Sequence, residues 1–266
     1  MTILRSLLFV PGNRSNMLEK ALRLAPDAYV PDLEDSVPLA EKENARNLVS
    51  SYLPTLAASG SLVIPRINPI DSGLLEDDLV AMVSHHICGV SIGKIGTSED
   101  VQRISRIIDV IETEKGLAIG QIKLVLWIET AMAVVNAYQI CSSSPRVVGV
   151  AFGAEDFTND MNIERGEDDQ NIIYSKSTVV VAAKAAGILA LDTPYFSFRD
   201  PEGLRRDALV SRRYGYSGKF AIHPDQVDII NDAFSPSNSE IEHAKRVVAV
   251  FEQAEQSGRG STSLDD

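Results

Sequence analysis

The chain has 266 residues, of which 44% are hydrophobic and 23% charged, the balance of a globular protein able to bury one large core. A formal charge of −12 argues against a broad nucleic-acid surface, which needs clustered Lys and Arg, and no apolar run approaches the roughly 18 residues of a membrane span. Cys88 and Cys141 form no CxxC pair and fall in stretches read as apolar helices, so reduced thiols and a cytoplasmic protein are expected.

Short β-branched runs alternate with longer segments of helical period. The first run, Ser6 to Val10, meets Pro11 and Gly12 at once and lacks a small-residue cleavage site, so it reads as a buried strand instead of a signal peptide. A helix follows from Ser15 to about Leu24, capped by Asn13 or Ser15. Next come a strand from Ala28 to Leu33, a helix from Leu39 to Leu56, a strand from Leu62 to Ile67 and a helix from Ser72 to His86. The fourth strand spans Gly89 to Ile95, and Thr97 or Ser98 caps the helix running to Thr113. The fifth strand, Lys123 to Ile128, precedes a helix from Ala131 to Ile140. The sixth, Val147 to Phe152, precedes a polar loop from Asn159 to Asp169. A helix from Ile172 to Ala186 ends at Gly187, a favoured residue just past a helix. Then come a strand from Ile188 to Leu191, a helix from Glu202 to Tyr214, a strand from Lys219 to Ile222 and a short helix from Gln226 to Ala233. A last helix from Ser239 to Gln256 leads into a tail read as disordered.

Eight such βα units predict a parallel (β/α)8 TIM barrel over residues 1–234, with residues 235–266 as an added C-terminal helix and tail. An open doubly wound sheet is the competing topology. In a barrel the chemistry lies at the C-terminal strand ends. There the sequence places Asp32, Glu34 and Asp35, then Arg66 and Asn68, Lys94, Glu129, Glu155 and Asp156, and His223.

Glu129 and Asp156 lie 27 residues apart, close to one βα repeat, which predicts equal heights on neighbouring strands about 4.8 Å apart. Two carboxylates at that spacing repel unless a cation or proton lies between them, and Mg²⁺ commonly takes one or two protein carboxylates. The alternative is that Asp156 caps the next helix. Arg66, flanked by apolar residues, needs a planar anion: a substrate carboxylate, or an internal partner such as Glu34 or Asp35. His223 reads equally as a site residue or a turn residue before Pro224. No P-loop or dinucleotide fingerprint is present.

Seven segments in chain order resemble the citrate lyase β-subunit-like family of the HpcH/HpaI aldolase/citrate lyase superfamily. They are Arg5-Ser6-Leu7-Leu8-Phe9-Val10-Pro11-Gly12, Asp32-Leu33-Glu34-Asp35-Ser36-Val37, and Lys42 with Ala45-Arg46. The others are Arg66-Ile67-Asn68, Ile128-Glu129-Thr130-Ala131, Phe152-Gly153-Ala154-Glu155-Asp156-Phe157, and Gly218-Lys219 with Ile222-His223-Pro224 and Gln226. The resemblance implies a TIM barrel assembled as a trimer or hexamer. It implies a Mg²⁺-dependent carbon–carbon lyase acting on citryl, malyl or citramalyl thioesters of CoA or acyl carrier protein. It makes Glu129 and Asp156 the metal ligands and puts Arg66, Glu129 and Lys94 on the substrate. Glu34 and Asp35 would orient Arg66 or metal-bound water. The family often has Pro-Lys-Val-Glu where this chain has Gly93-Lys94-Ile95-Gly96, and an Arg where it has Lys176; both departures bear on the distal-substrate pocket. A pyruvate-type class II aldolase and a non-catalytic subunit of a lyase complex are the alternative functions.

Overall fold

In the computed structural model, which describes residues 3–166, 169–256 and 258, the β-branched runs form parallel strands. They are β1 (Ser6–Pro11), β2 (Ala28–Asp32), β3 (Leu62–Val63), β4 (Arg66–Ile67), β5 (Gly89–Ile92), β6 (Lys123–Ile128), β7 (Val147–Phe152), β8 (Leu189–Asp192) and β9 (Gly218–Ala221). β3 and β4 are one stave of the sheet, interrupted at Pro65, which has no N–H to offer a neighbour. β1 pairs in parallel with both β2 and β9, so the sheet has no free edge and closes. The expected (β/α)8 barrel is therefore the fold, and the open sheet is excluded.

Around it lie α1 (Ser15–Ala21), α2 (Lys42–Ala58), α3 (Leu75–Met82), α4 (Ser98–Glu114), α5 (Ala131–Val135), α6 (Ala137–Cys141), α7 (Ala154–Asp160), α8 (Ile173–Ala185), α9 (Pro201–Tyr214), α10 (Gln226–Phe234) and α11 (Asn238–Gln256). Strand residues alternate between two cores, as the pleat requires. Leu8, Tyr29, Ile92, Leu126 and Phe152 face the helices. Leu7, Val30, Ile64, Val125, Trp127 and Phe220 fill the barrel.

Several local expectations are corrected. Neither Asn13 nor Ser15 caps α1; Arg14 stands at that position without a side-chain bond. α3 stops at Met82, so His85, His86 and Cys88 lie in the connection to β5, not on a helix. The helix after β6 breaks at Asn136, whose side chain donates to the Gly96 carbonyl at 3.1 Å. α7 occupies the start of the stretch read as a loop. The tail read as disordered lies outside the described residues, Gly258 apart.

Three side chains tie the loops above the barrel. Lys42 Nζ donates to the Leu33 and Glu34 carbonyls, both at 2.7 Å, fixing the turn that follows β2. Gln226 Oε1 accepts from the N–H groups of Ile222 and His223, while its Nε2 donates to the Tyr195 carbonyl. Asp78, fully buried, accepts from the Asn68 N–H and side-chain amide and from Arg46 Nε. Asn68 in turn donates to the Leu33 carbonyl. Replacing Asp78 by Ala leaves Arg46 with only Asp77 at 3.6 Å and removes the acceptor of two Asn68 donors. A loss of about 3–5 kcal/mol in chemical denaturation is expected; a loss below about 1 kcal/mol would show that this tie carries little.

Candidate active site

The C-terminal ends of the strands surround a cavity of ≈ 380 Å³ lined by Phe9, Asp32, Asp35, Arg66, Trp127, Glu129, Asp156 and Phe196, among others. Its floor is aromatic: Phe9, Trp127 and Phe220 pack with centroids 4.4 to 5.8 Å apart. Low-polarity walls of this kind strengthen every charge interaction inside them.

Arg66 stands on β4 beside Asp32 of β2, its paired residue in the parallel register. Nε and Nη2 each donate to one Asp32 oxygen at 2.7 Å, a two-pronged carboxylate grip. Nη1 donates to Asp35 Oδ2 at 3.0 Å and lies 3.1 Å from Glu34 Oε2. The guanidinium also lies over the Phe9 ring at 4.5 Å. Arg66 thus has an internal partner, as the less specific sequence reading allowed. The principal one is Asp32, to which that reading gave no role, because partnership across a parallel register is invisible in local sequence. Burial works against Asp32 ionising, but the Arg66 hydrogen bonds and charge prevail and hold its carboxyl below the usual range.

Glu129 follows β6 directly and is buried. Ile128 pairs with Phe152, and the Gly153 N–H donates to the Ile128 carbonyl, so the residue level with Glu129 is Gly153, not Asp156. This corrects the equal-height argument. A Cβ on Gly153 would lie 2.5 Å from Glu129 Cγ, and one on Gly93 would lie 3.0 Å from Glu129 Oε2. The two glycines form a cradle for the Glu129 side chain. The Lys94 N–H donates to Glu129 Oε2 at 2.7 Å, which requires Lys94 to adopt φ 57°, a left-handed conformation rare for a non-glycine residue. For this reason β5 ends at Ile92, short of the expected Ile95.

Asp156 reaches the cavity from the first turn of α7, whose cap position is Gly153. The capping alternative for Asp156 is thereby set aside. Burial raises the Asp156 carboxyl, with the nearby Asp35 charge adding to it. Burial pushes Glu129 up to about 8; the Lys94 N–H opposes the rise, while the charges of Glu34 and Asp156 reinforce it. Glu34, also buried and also raised, has Oε1 with no partner at hydrogen-bonding geometry, although Lys94 Nζ lies 3.2 Å away.

These features are a test of fit for a hard cation, and the residues pass it. Carboxylates are crowded at one cavity, one buried oxygen is orphaned, and two missing Cβ atoms leave room around Glu129. Among the described residues no three His, Cys, Asp or Glu side chains form a ready-made cage. Mg²⁺ takes one or two protein carboxylates and keeps water and substrate oxygens as its other ligands.

Other expected residues go elsewhere. Lys94 Nζ turns toward Glu34 and Asp35. Burial opposes its charge, but those carboxylates prevail and raise its pKa. Lys176 is buried against Asp169 and Asp192, each at 3.1 Å, and lines a cavity that shares Glu155 and Phe196 with the active-site cavity. His223 stacks on Phe198 at 5.0 Å and accepts from the Asp225 N–H, behaving as a turn residue.

A family model described as HpcH/HpaI aldolase/citrate lyase matches residues 5–224. The chain is 36% identical to the citrate lyase subunit beta of Leuconostoc mesenteroides subsp. cremoris over 261 residues, which is 98% of this chain and 86% of that one. It is 34% identical to a (3S)-malyl-CoA thioesterase of Cereibacter sphaeroides, over 98% of this chain and 87% of that one. It superposes with a TM-score of 0.79 and 27% identity on the protein CitE from Mycobacterium tuberculosis in complex with magnesium, acetoacetate and coenzyme A, covering 98% of this chain and 90% of that one. Barrel, strand-end carboxylates and relatives together define the class, a carbon–carbon lyase on a (β/α)8 scaffold. The chain belongs to the HpcH/HpaI aldolase/citrate lyase family.

One pH effect follows for the metal-free protein. The Glu129 carboxyl is raised in the folded state, so ionisation destabilises the fold above the unfolded value near 4.5, and fully so above about 8. Glu129→Gln is expected to be more stable than the parent at pH 9 in the presence of a chelator, with the gap closing toward pH 4. A gap independent of pH in thermal melts would contradict the raised value.

Proposed function

We propose that the chain is a Mg²⁺-dependent lyase that cleaves or forms a 3-hydroxyacyl thioester such as citryl-, malyl- or citramalyl-CoA. Glu129 and Asp156 hold the metal, and Arg66 holds the substrate carboxylate. The observation that carries this reading is the excess of carboxylate around Arg66, with Asp32, Glu34 and Glu129 buried. Asp32, Glu34 and Asp35 already answer its single charge, yet Glu129 and Asp156 face the same cavity. The relatives' names and the magnesium and coenzyme A of the M. tuberculosis complex support the choice of metal and substrate.

When bound, Mg²⁺ supplies a Lewis acid for the oxygen that becomes a carbonyl. The chain's own groups do the rest. Asp32 fixes the Arg66 fork, and three hydrogen bonds engage three of its five N–H groups. The remaining two meet the substrate carboxylate. Glu34, buried and with an orphaned oxygen, takes the proton of the 3-hydroxyl as the bond between C2 and C3 breaks. The electron pair passes to the thioester as an enolate, which then takes that proton from Glu34 at C2 and returns the carboxylate to its starting state. A 2-oxo acid and a shortened acyl thioester result. Phe9, Trp127 and Phe196 keep water from the enolate's neighbourhood.

Thioester hydrolysis is a second reading, favoured by the (3S)-malyl-CoA thioesterase among the relatives. The products separate the two. Lyase action on malyl-CoA yields glyoxylate with the thioester intact, whereas hydrolysis yields malate and free CoA. The expected result across malyl-, citramalyl- and citryl-CoA is a Mg²⁺-dependent 2-oxo acid. Free CoA alone would overturn the lyase reading. Glu129→Ala and Asp156→Ala should stay folded and lose Mg²⁺ binding by calorimetry; unchanged affinity in either would remove it from the ligand set. Arg66→Lys should lower kcat/KM by roughly 100-fold, since Lys cannot reproduce a two-pronged grip.

We further infer a cytoplasmic homo-oligomer, trimeric or hexameric. No helix in the described residues is long and apolar enough to cross a membrane. Met132, Val135 and Tyr138 on α5 and α6 are exposed beside Tyr174 and Val181 on the adjoining α8, an apolar face of the kind that subunits cover. Residues 1–234 would be the catalytic barrel and 235–266 an appended segment; within α11 only Ala254 is buried. Light scattering should give three or six times the chain mass, and a monomer at micromolar concentration would contradict the assembly.

A further inference from the structure

The opposite end of the barrel carries a second cavity, of ≈ 590 Å³, well inside the range of small-molecule sites, roughly 300–1,000 Å³. Its walls are the lowest layer of the barrel interior: Leu4, Leu62, Ile64, Val125 and Leu189. The inner face of β6 links the two ends of the molecule. Lys123 and Val125 line the lower cavity, and Trp127 and Glu129 line the active-site cavity.

Two lysines, Lys123 and Lys184, line this apolar space. Among the described residues neither has a carboxylate partner, and Lys184 Nζ reaches only the Ser217 hydroxyl at 3.4 Å. The buried lysines Lys176 and Lys219, by contrast, both pair with acids. Lys184 lies in the last turn of α8, where its charge also offsets the helix dipole. Lys123 has no such task. It is half-buried, on a strand, at the barrel end away from the catalytic carboxylates.

An apolar funnel flanked by unpaired ammonium groups has the chemistry of a site for an amphipathic anion. We propose that the lower cavity binds a linear aliphatic carboxylate, its chain among Leu62, Ile64, Val125 and Leu189 and its head group on Lys123 and Lys184. The tail gains by leaving water, and the head group gains two charge-assisted contacts. The site is independent of the lyase reading, since it shares no residue with the catalytic cavity.

Decanoate is the probe, with binding read by calorimetry and by the emission of Trp127. This is the chain's only tryptophan and stands one inward-facing position above Val125. One decanoate per chain is expected, and decanol, which keeps the tail but not the charge, should bind at least tenfold more weakly. Lys123→Met and Lys184→Gln should each weaken decanoate at least threefold. Leu62→Phe, which narrows the cavity without touching either lysine, should weaken it tenfold or more. Circular dichroism confirms that each variant folds. Binding should persist in Arg66→Lys. No saturable binding would overturn the site, as would affinity unchanged in both Lys123→Met and Leu62→Phe. Loss of binding in Arg66→Lys alone would place the probe in the catalytic cavity and equally overturn it.

Discussion

The structure above the barrel is organised by an imbalance of charge. Asp32, Glu34, Asp35, Glu129 and Asp156 converge where Arg66 and Lys94 are the nearby cations. Buried like charges are costly unless they are protonated or compensated. The chain meets part of that cost internally, through the Asp32–Arg66 pair and the backbone N–H of Lys94. The raised carboxyls of Glu129, Glu34 and Asp156 mark what is left over. In the proposed function a divalent cation would compensate that remainder, and its affinity would come from the same crowding that strains the metal-free protein.

Neighbouring features answer this constraint. Gly153 and Gly93 lack the Cβ atoms that would displace the Glu129 carboxylate. Lys94 holds a left-handed backbone to aim its N–H at that group. Lys42 and Asn68 anchor the turn carrying Glu34 and Asp35. The recurring motif residues divide between two tasks: Phe9, Asp32, Arg66, Glu129 and Asp156 line the cavity, and Lys42, Asn68 and Gln226 position the loops around it. The barrel separates the two functions its ends can serve. Carboxylates crowd the upper end, and unpaired lysines with an apolar funnel mark the lower.

The fold was legible because β6 and β7 are apolar runs with clear punctuation, and both match their expected bounds at each end. Where local signals were absent, the reading failed. α7 begins without a Ser, Thr, Asp or Asn cap and carries no long apolar stripe, so Ala154–Thr158 was given no helix and Asn159 and Asp160 passed for the start of a loop. β5 looked longer than it is because Ile95 continues its apolar pattern, whereas a tertiary contact from Lys94 to Glu129 turns the chain. The candidate residues Glu34, Asp35, Arg66, Glu129 and Asp156 could be picked out as polar groups at strand ends. Their mutual arrangement could not. Register, and not spacing in sequence, makes Asp32 the partner of Arg66 and sets Gly153 level with Glu129.

The central claim is that a divalent cation sits between Glu129 and Asp156. Anomalous scattering from crystals grown with Mn²⁺ in place of Mg²⁺ tests it most directly. The account predicts one strong peak within coordination distance of both carboxylates, roughly 2.0–2.2 Å, with the remaining ligands water or substrate oxygens. A peak elsewhere in the barrel, or a Glu129 side chain turned away from it, would contradict the account.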